Sequence, residues 1–572
     1  TTSPYSISWN STSTSNGSHN LSATARDAAG NATTSAAINV TVSNGVTPPP
    51  PGSVTANVAL KTNGNDATCT RSSSVVNPDT LAACVTWERA CQVATAGDKV
   101  AVYAGEYQPG QYARYLESDC TDGGAGNVSF ICGPGVADYS VTHNSRDFVI
   151  KSDKVTIQGK CFEFQNLKLG EGGDQNSADA ILIDNVHMAS FSVWGTENST
   201  FRNNEIGPTV ACYGPNDTNV PPNTTSAMRC SATGPWPEDR CYRYGGCTDE
   251  TSGQAQIRCV GFCNSQATNS YNFLLEGNWF HDFQSKDGRP EGLHPGCLQY
   301  YANGSIQFTM RRNILENCAS QAILFEWETG VSNVTIENNW VGPAIEPYSN
   351  TQNCCTPATA SQDGTSMGFK NAFDNANNSN WLVRYNTTRG FGWSGTNASY
   401  TNVRLIGNLF RVTQACPAGV TWNYNASEDN GCGTNKITAL NFGASVADNT
   451  GPTSLQVRGG TPGINFHLST GTKTFENWVT PTTSDYTLST DYDGQTRSSP
   501  LTAGSDERDS GSPPPPPPPT KPGDLNNDNA VNIFDLSILL SNYNTTNAIA
   551  DINKDGTVNV QDLSILLSNY GT

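Results

Sequence analysis

Between Phe201 and Phe410 one six-residue pattern recurs: an apolar residue, two variable positions, Asn, a variable position and usually a second apolar residue. Its members are Phe201-Arg-Asn-Asn204-Glu-Ile206, Leu275-Glu-Gly-Asn278-Trp-Phe280, Met310-Arg-Arg-Asn313-Ile-Leu315, Ile336-Glu-Asn-Asn339-Trp-Val341, Val383-Arg-Tyr-Asn386-Thr-Thr388 and Leu405-Ile-Gly-Asn408-Leu-Phe410. Successive asparagines are 74, 35, 26, 47 and 22 residues apart, so the shortest steps are single turns of a solenoid and the longer ones carry inserted loops or skipped coils.

A period of 22 to 26 residues, with β-branched strands and Asn at a fixed bend, predicts a right-handed parallel β-helix over residues 57–507. Stacked Asn amides then bond one another up the ladder and satisfy the backbone where each coil turns. Leucine-rich repeats also place Asn at a similar period, but their Leu-x-x-Leu-x-Leu signature is absent. The ends agree: Gly97-Asp-Lys-Val100-Ala-Val102-Tyr103-Ala-Gly105-Glu-Tyr107 resembles the opening coil of bacterial parallel β-helix repeat proteins. Asp491-Tyr-Asp493-Gly494-Gln-Thr-Arg497 resembles their closing segment. That solenoid serves pectinolytic lyases, hydrolases, epimerases, tailspikes and adhesins, so the resemblance implies a fold and not an activity.

Outside the solenoid the pattern changes. Tyr5-Ser-Ile7-Ser-Trp9 and Ala37-Ile-Asn-Val40-Thr-Val42 alternate as strands do, around a turn at residues 26–31. Residues 1–44 resemble the second half of a bacterial immunoglobulin-like domain, a partial β-sandwich, which would make Thr1 a truncation point. Two proline tracts, Pro48 to Pro51 and Pro513 to Pro519, read as stiff polyproline II spacers within linkers 45–56 and 508–522. The expected fold class is mainly β: a right-handed parallel β-helix, a partial sandwich before it and a small α-helical calcium-binding module after it.

That module, residues 523–572, is a tandem duplication. Asp524, Asn526, Asp528, Ala530, Asn532 and Asp535 recur 27 residues later as Asp551, Asn553, Asp555, Thr557, Asn559 and Asp562. Oxygen side chains stand at positions 1, 3, 5, 9 and 12, with a backbone carbonyl at position 7, the calcium-loop spacing of EF-hands. Each loop leads into the same Asp-Leu-Ser-Ile-Leu-Leu-Ser-Asn-Tyr, a short amphipathic helix. Two loops with one helix each resemble a dockerin domain, which implies two bound Ca2+ ions and docking onto a cohesin-bearing scaffold protein; a further ion in the β-helix is left open. The chain departs from the family pattern at loop position 6, where Asn529 replaces Gly, and at positions 10 and 11, which hold Ile533-Phe534 and Val560-Gln561 where many dockerins use small hydroxyl residues.

Charge narrows the partners. The 572 residues carry 51 acidic against 32 basic side chains, a net −19, which repels nucleic acid and anionic membranes. Six aspartates and one lysine give the tail −5, leaving −14 for the rest. No apolar run approaches the ~20 residues that span a bilayer, and Thr1 to Trp9 is no signal peptide, so a soluble chain lacking its signal is expected. All 18 cysteines lie between Cys69 and Cys432, an even count without zinc-finger spacing, which predicts structural disulfides and an extracellular or cell-surface location.

Chemistry is expected on an outer sheet face. In Ile323-Leu-Phe325-Glu326-Trp327-Glu328, alternation places Ile323, Phe325 and Trp327 inward and Glu326 and Glu328 outward, with Cα atoms about 6.6 Å apart, a spacing an inverting acid and base pair can use. Glu337, one coil on, is expected to extend this patch; the alternative is ordinary solvated strand carboxylates. The stretch from His281 to Gln299 gathers His281, Lys286, Arg289, His294 and Gln299 in a chain with six histidines. It resembles the His-x-Asp-x-x-Gln element of many bacterial β-helix proteins, with Gly296 where Asp is usual. For a lyase acting on a uronate, Lys286 or His294 would remove the C5 proton while Arg289 or calcium holds the carboxylate, with His281 and Gln299 contacting substrate. A loop that merely caps the coil is the competing reading. Polygalacturonase-type Asn-Thr-Asp, Asp-Asp and Gly-His-Gly elements are missing, as are Gly-x-Ser-x-Gly, P-loop and His-Glu-x-x-His patterns. The two functions left are cleavage of a polysaccharide, by a lyase or glycoside hydrolase, and non-catalytic glycan binding or adhesion.

Overall fold

The computed structural model describes strands between residues 17 and 42, most of 54–207, strands at 209–213, 241–244 and 255–258, residues 271–285, 297–301, 304–318, 322–327, 330–342, 367–371, 377–394, 399–413, most of 416–448, 459–508, isolated positions from 531 to 552, and 557–570. Val54–Pro516 forms one compact unit, and the two ends of the chain form another.

Within Val54–Pro516 the described strands make two long parallel sheets, one of 12 strands and one of 19. The chain is a parallel β-helix, because every strand pairs in parallel with its counterpart one coil away, as Leu275 with Met310, Met310 with Ile336 and Ile336 with Val383. The 12-stranded sheet is one wall. The 19-stranded sheet supplies two more, joined by strands that bend across both. Thr387–Ser394, for instance, pairs through Thr387 and Thr388 with Trp340–Val341 and through Phe391 to Ser394 with Met367–Asn371.

The repeated six-residue pattern lies at the corner between the first two walls. Its leading apolar residues, from Phe201 to Leu405, and its closing ones, from Ile206 to Phe410, are buried in the core. Asn204, Asn278, Asn313, Asn339, Asn386 and Asn408 form the expected ladder, fully buried, and Asn425 extends it by one further coil. From Asn278 on, the Oδ1 of each asparagine accepts from both the backbone N–H and the Nδ2 of the one before, while that of Asn204 accepts the Val186 amide; Asn339 Oδ1 accepts from Asn313 at 3.0 Å twice. Each Nδ2 also donates to a backbone carbonyl, that of Asn339 to Met310 O at 3.0 Å. The residue before each ladder position has positive φ: Asn203, Gly277, Arg312, Asn338, Tyr385, Gly407 and Tyr424 lie between 53° and 65°. Left-handed backbone costs most residues about 1 to 2 kcal/mol, and the amide ladder offsets that cost at every turn.

The first end of the solenoid is sealed, and a C-terminal segment covers one of its sides. The helix Trp87–Val93, capped by the Thr86 hydroxyl, puts Trp87 under the first coils, 4.8 Å from Phe130 and 5.0 Å from Phe148 between ring centroids. Residues 459–508 fold back along the outer face of the second wall. There Ile314, Trp340, Leu409 and Ala426 are buried beneath Ile464, Phe466, Phe475, Leu501 and Ala503. The expected closing element works by two buried charges. Asp491 accepts the amides of Asp493, Gln495 and Glu507, while Arg497 binds Glu507 at 2.9 Å and Asn338 Oδ1 at 3.0 Å and lies over the Tyr385 ring.

Disulfides hold the described part, as expected from the even cysteine count: Cys69–Cys84, Cys91–Cys120, Cys132–Cys161, Cys297–Cys318 and Cys416–Cys432. In the end unit, Gly17–Leu21 pairs antiparallel with Ile38–Val42, and Thr24–Arg26 with Ala32–Thr34, which brackets the expected turn; Tyr5 to Trp9 lies outside the described residues. The helix Val560–Ser568 follows the second loop, and Leu566 packs with Val531, Leu539, Ala550 and Val558 in a small core.

Candidate functional site

The outer face of the second wall carries a line of ionisable groups close to the asparagine corner. Glu163, His187, Glu205 and Trp279 share successive register positions, and His281 pairs with Glu316 two residues further along. His281, expected to meet substrate, does not reach solvent. It is fully buried, stacked on Trp279 at 3.8 Å between centroids, with Nε2 3.3 Å from Glu205. The reason is the folded-back segment. Glu205 accepts the Gly459 amide at 2.7 Å, and Glu316 accepts the amides of Gly463 and Ile464 at 2.8 to 2.9 Å and the Trp279 indole N–H at 2.7 Å. These carboxylates anchor the cap.

Their electrostatics differ although their roles match. Burial pushes the Glu205 carboxyl up, but His281, His187 and the Gly459 amide outweigh it and hold the group below the usual range. Glu316 is deeper, and its burial outweighs the two amides, the indole and His281, so it stays above that range.

Glu337, expected to extend the patch around Glu326, does not. It stands on the 12-stranded sheet, on a different wall from Glu326, and is buried. Coil stacking puts Asp184, Arg202, Glu276, Arg311, Glu337 and Arg384 at successive positions of one outward row, acid and base in alternation. Ion pairs close at 2.8 Å for Arg202 and Asp184, 2.9 Å for Arg311 and Glu276, and 2.7 Å for Arg384 and Glu337. Glu337 is a member of this ladder and is spoken for by Arg384.

The third wall holds the other candidates. The backbone of Glu326 lies in the strand Ile323–Trp327, with Ile323 buried as expected. Its register neighbours are Tyr301 on one side and Lys370 on the other, and Ser394 follows Lys370. One coil row below, Arg258 pairs with Trp194, and the neighbouring Ile257 pairs with Tyr300. Topology thus gathers Trp194, Arg258, Tyr301, Glu326, Lys370 and Ser394 along one wall, two cationic residues and two aromatic ones flanking an acid. Sequence reading missed Arg258 and Lys370, because long insertions hide which strands are neighbours. Gln299 is in the adjoining row, in register with Gln256 and Leu324, and is buried. Lys286, Arg289, His294 and Glu328 lie outside the described residues.

Of the calcium loops, Thr557, Asn559 and Asp562 are described; the other nine positions are not. Asp562 is fully buried at the start of the helix Val560–Ser568, and its Oδ2 accepts the Asn559 amide at 2.8 Å. A carboxylate, a side-chain amide and the Thr557 carbonyl are hard oxygen donors and fit calcium.

The tail carries a dockerin: residues 522–569 match the model of the Dockerin type I domain. Dockerin domains bind calcium. No curated protein matches the chain in sequence. Among solved structures the chain is similar to pectate lyase Pel9A, at 12% identity and TM-score 0.37 over 79% of this chain and 96% of that one. It is also similar to a rhamnogalacturonan lyase, at 10% identity and TM-score 0.27 over 64% and 87%. A mannuronic acid specific polysaccharide family 6 lyase from human gut microbiota follows at 10% identity and TM-score 0.26 over 61% and 87%. No helix of the described residues is long and apolar enough to cross a membrane.

Proposed function

We propose that this chain is a secreted, carbohydrate-active β-helix protein that cleaves a polysaccharide and is carried on a cohesin-bearing scaffold by its dockerin. The observation that carries the reading is the dockerin itself, with two calcium loops expected to take one ion each. Leu540 and Leu567, and Tyr543 and Tyr570, are equivalent in the duplication and exposed, as a docking surface requires. Val560 at loop position 10 is exposed too, so an apolar contact replaces the hydroxyl common there.

For the reaction, the row through Arg258, Tyr301, Glu326 and Lys370 supports an acidic polymer as substrate. Aromatic faces stack on sugar rings and the two cations match carboxylates on an otherwise acidic protein. In a lyase, Lys370, Lys286 or His294 would take the C5 proton, a cation would hold the uronate carboxylate as charge spreads into it, and the C4–oxygen bond would break, the departing oxygen taking a proton from water, to leave an unsaturated sugar. In a hydrolase, Glu326 and Glu328 would act as acid and base on water. One observation favours non-catalytic glycan binding instead: the described carboxylates of the second wall and of the alternating ladder are all committed to structural partners.

A glycan panel incubated with the full chain and calcium separates these readings, read together for new reducing ends and for absorbance of unsaturated uronates. Product lost in Glu326→Ala, Lys370→Ala or His294→Ala establishes an enzyme, and the absorbance tells lyase from hydrolase. Silence across the panel with retained binding sinks the catalytic reading. Calcium-dependent capture by a type I cohesin tests the docking.

A further inference from the structure

The closing cap brings together three side chains that neither the proposed reaction nor the calcium tail uses. His467 on the strand Asn465–Leu468, Asp493 in the turn after Asp491 and Asp506 in the final segment each offer a donor atom, all within 4.8 Å of one another. The imidazole is held in place. Asn465 Oδ1 accepts from the His467 backbone N–H at 3.1 Å and lies 2.6 Å from ring Nδ1. With the proton on Nδ1, Nε2 carries a lone pair, and that nitrogen sits 2.7 Å from Asp493 Oδ2. Trp340 stands edge-on to the ring, its centroid 4.8 Å away, and Tyr492 stacks on Trp340 at 4.1 Å.

Asp506 supplies a second, independent sign. Its side chain is 5% exposed, its Oδ2 accepts the Leu468 amide at 2.7 Å, and among the described residues nothing donates to its other oxygen. No ion pair joins Asp493 or Asp506 to a lysine or arginine among those residues; Arg508, close by, is committed to Glu476 at 2.7 Å. Asp491 adds a third carboxylate behind them, its oxygens taken by the amides of Asp493, Gln495 and Glu507. A lone pair facing a carboxylate at that distance calls for positive charge, and so does Asp506, buried with Asp493 within reach.

Separate protons on His467 and Asp506 would answer the two needs one by one; a metal ion answers both with a single charge shared by all three side chains. Donors about 3 Å apart form the edge of an octahedron with bonds of about 2.1 Å. One imidazole with two carboxylates selects a borderline cation over calcium or magnesium, which take oxygen alone. The exposed side of Asp493 leaves room for entry and for water ligands.

We propose that His467, Asp493 and Asp506 bind one divalent first-row transition-metal ion, Mn2+ or Zn2+, that clamps three segments of the cap over the second wall. The test uses the full chain, stripped with chelator and resupplied with excess Ca2+ so that the dockerin loops are filled. It is then titrated with Mn2+ by electron paramagnetic resonance and with Zn2+ by calorimetry. One equivalent of either ion is expected, weakened at least about tenfold in Asp506→Asn and in His467→Gln, and unchanged in Asp562→Asn. His467→Gln alters a partly exposed side chain and keeps the test valid if Asp506→Asn does not fold. No Mn2+ or Zn2+ bound with the loops filled, or binding untouched by both cap variants, overturns the proposal.

Discussion

Five coils carry two asparagines six residues apart, and the two rows behave differently. In these coils Asn204, Asn278, Asn339, Asn386 and Asn408 belong to the buried ladder; Asn198, Asn272, Asn333, Asn380 and Asn402 form a second row at the other end of the same strands and are themselves at positive φ. Asn380 Nδ2 reaches Asn333 Oδ1 at 3.3 Å, and Asn402 Nδ2 reaches Asn380 Oδ1 at 2.9 Å, but both bonds are exposed. The outer amides bond in the reverse direction, from each coil to the one before, and the alternative partner differs as well. In the outer row water replaces a lost amide, whereas in the inner row nothing does. The ladder therefore stabilises mainly by preventing unsatisfied backbone groups, and its energy follows burial rather than bond count.

Asn339→Leu breaks the comparison most severely. It removes the acceptor of the Asn313 backbone N–H and the donor to Met310 O, both buried. At about 1 to 3 kcal/mol for each abandoned group, urea unfolding should show a loss on the order of 3 to 5 kcal/mol. A loss under ~1 kcal/mol would mean that water enters the corner and that the ladder is decorative.

Glu316→Ala asks whether a carboxylate can play the same part. Three donors, the Gly463 and Ile464 amides and the Trp279 indole, lose their acceptor, so a loss of about 2 to 4 kcal/mol is expected, confined to the cap. Hydrogen exchange at residues 459–468 should rise while the ladder amides stay protected. Uniform exchange across the chain would show that cap and solenoid unfold as one.

How much of this was legible in the sequence depends on distance along the chain. Six of the ladder asparagines announce themselves because the residues around them repeat locally. Asn425 hides, since Ala426 and Ser427 follow it where a larger apolar residue usually stands. The calcium tail was legible for the same reason, being written twice within 50 residues. Glu316 and Gly463 are 147 residues apart, and nothing local marks either as the other's partner. Glu337 and Arg384 are 47 apart because a coil-sized insertion intervenes, so alternation within one strand suggested an open carboxylate where stacking supplied an arginine. Facing direction is a local property and could be read; what lies across the face could not.

A pH titration sharpens the difference between the two anchoring carboxylates. Glu205 is held below its ordinary 4.5 when folded, so its contribution is present above that value and disappears as pH falls through the lower folded one. Glu316 is raised, so the folded state keeps its proton longer than the unfolded state does, and its ionisation costs stability as pH climbs from 4.5 towards the raised value. Glu205→Gln should therefore flatten the acid limb of the stability profile, and Glu316→Gln should remove a decline on its neutral side. Identical profiles in the two variants would mean that their different surroundings do not distinguish the two carboxylates.

The smallest effect expected is that of Asn380→Ala. The exposed amide accepts from Asn402 and donates to Asn333, yet water can take both roles, so the hydrogen-bond loss should stay within about 0.5 kcal/mol. The backbone complicates this, because Asn380 sits at φ 57°, a region Asn tolerates better than Ala. Asn380→Gly separates the two contributions, since it removes the same amide without the steric penalty. If the Gly variant matches the parent in urea midpoint while Ala falls by about 1 kcal/mol, the outer row is kept for its backbone conformation and not for its ladder. If both variants fall together, the exposed amides carry energy that burial does not explain, and the distinction between the two rows fails.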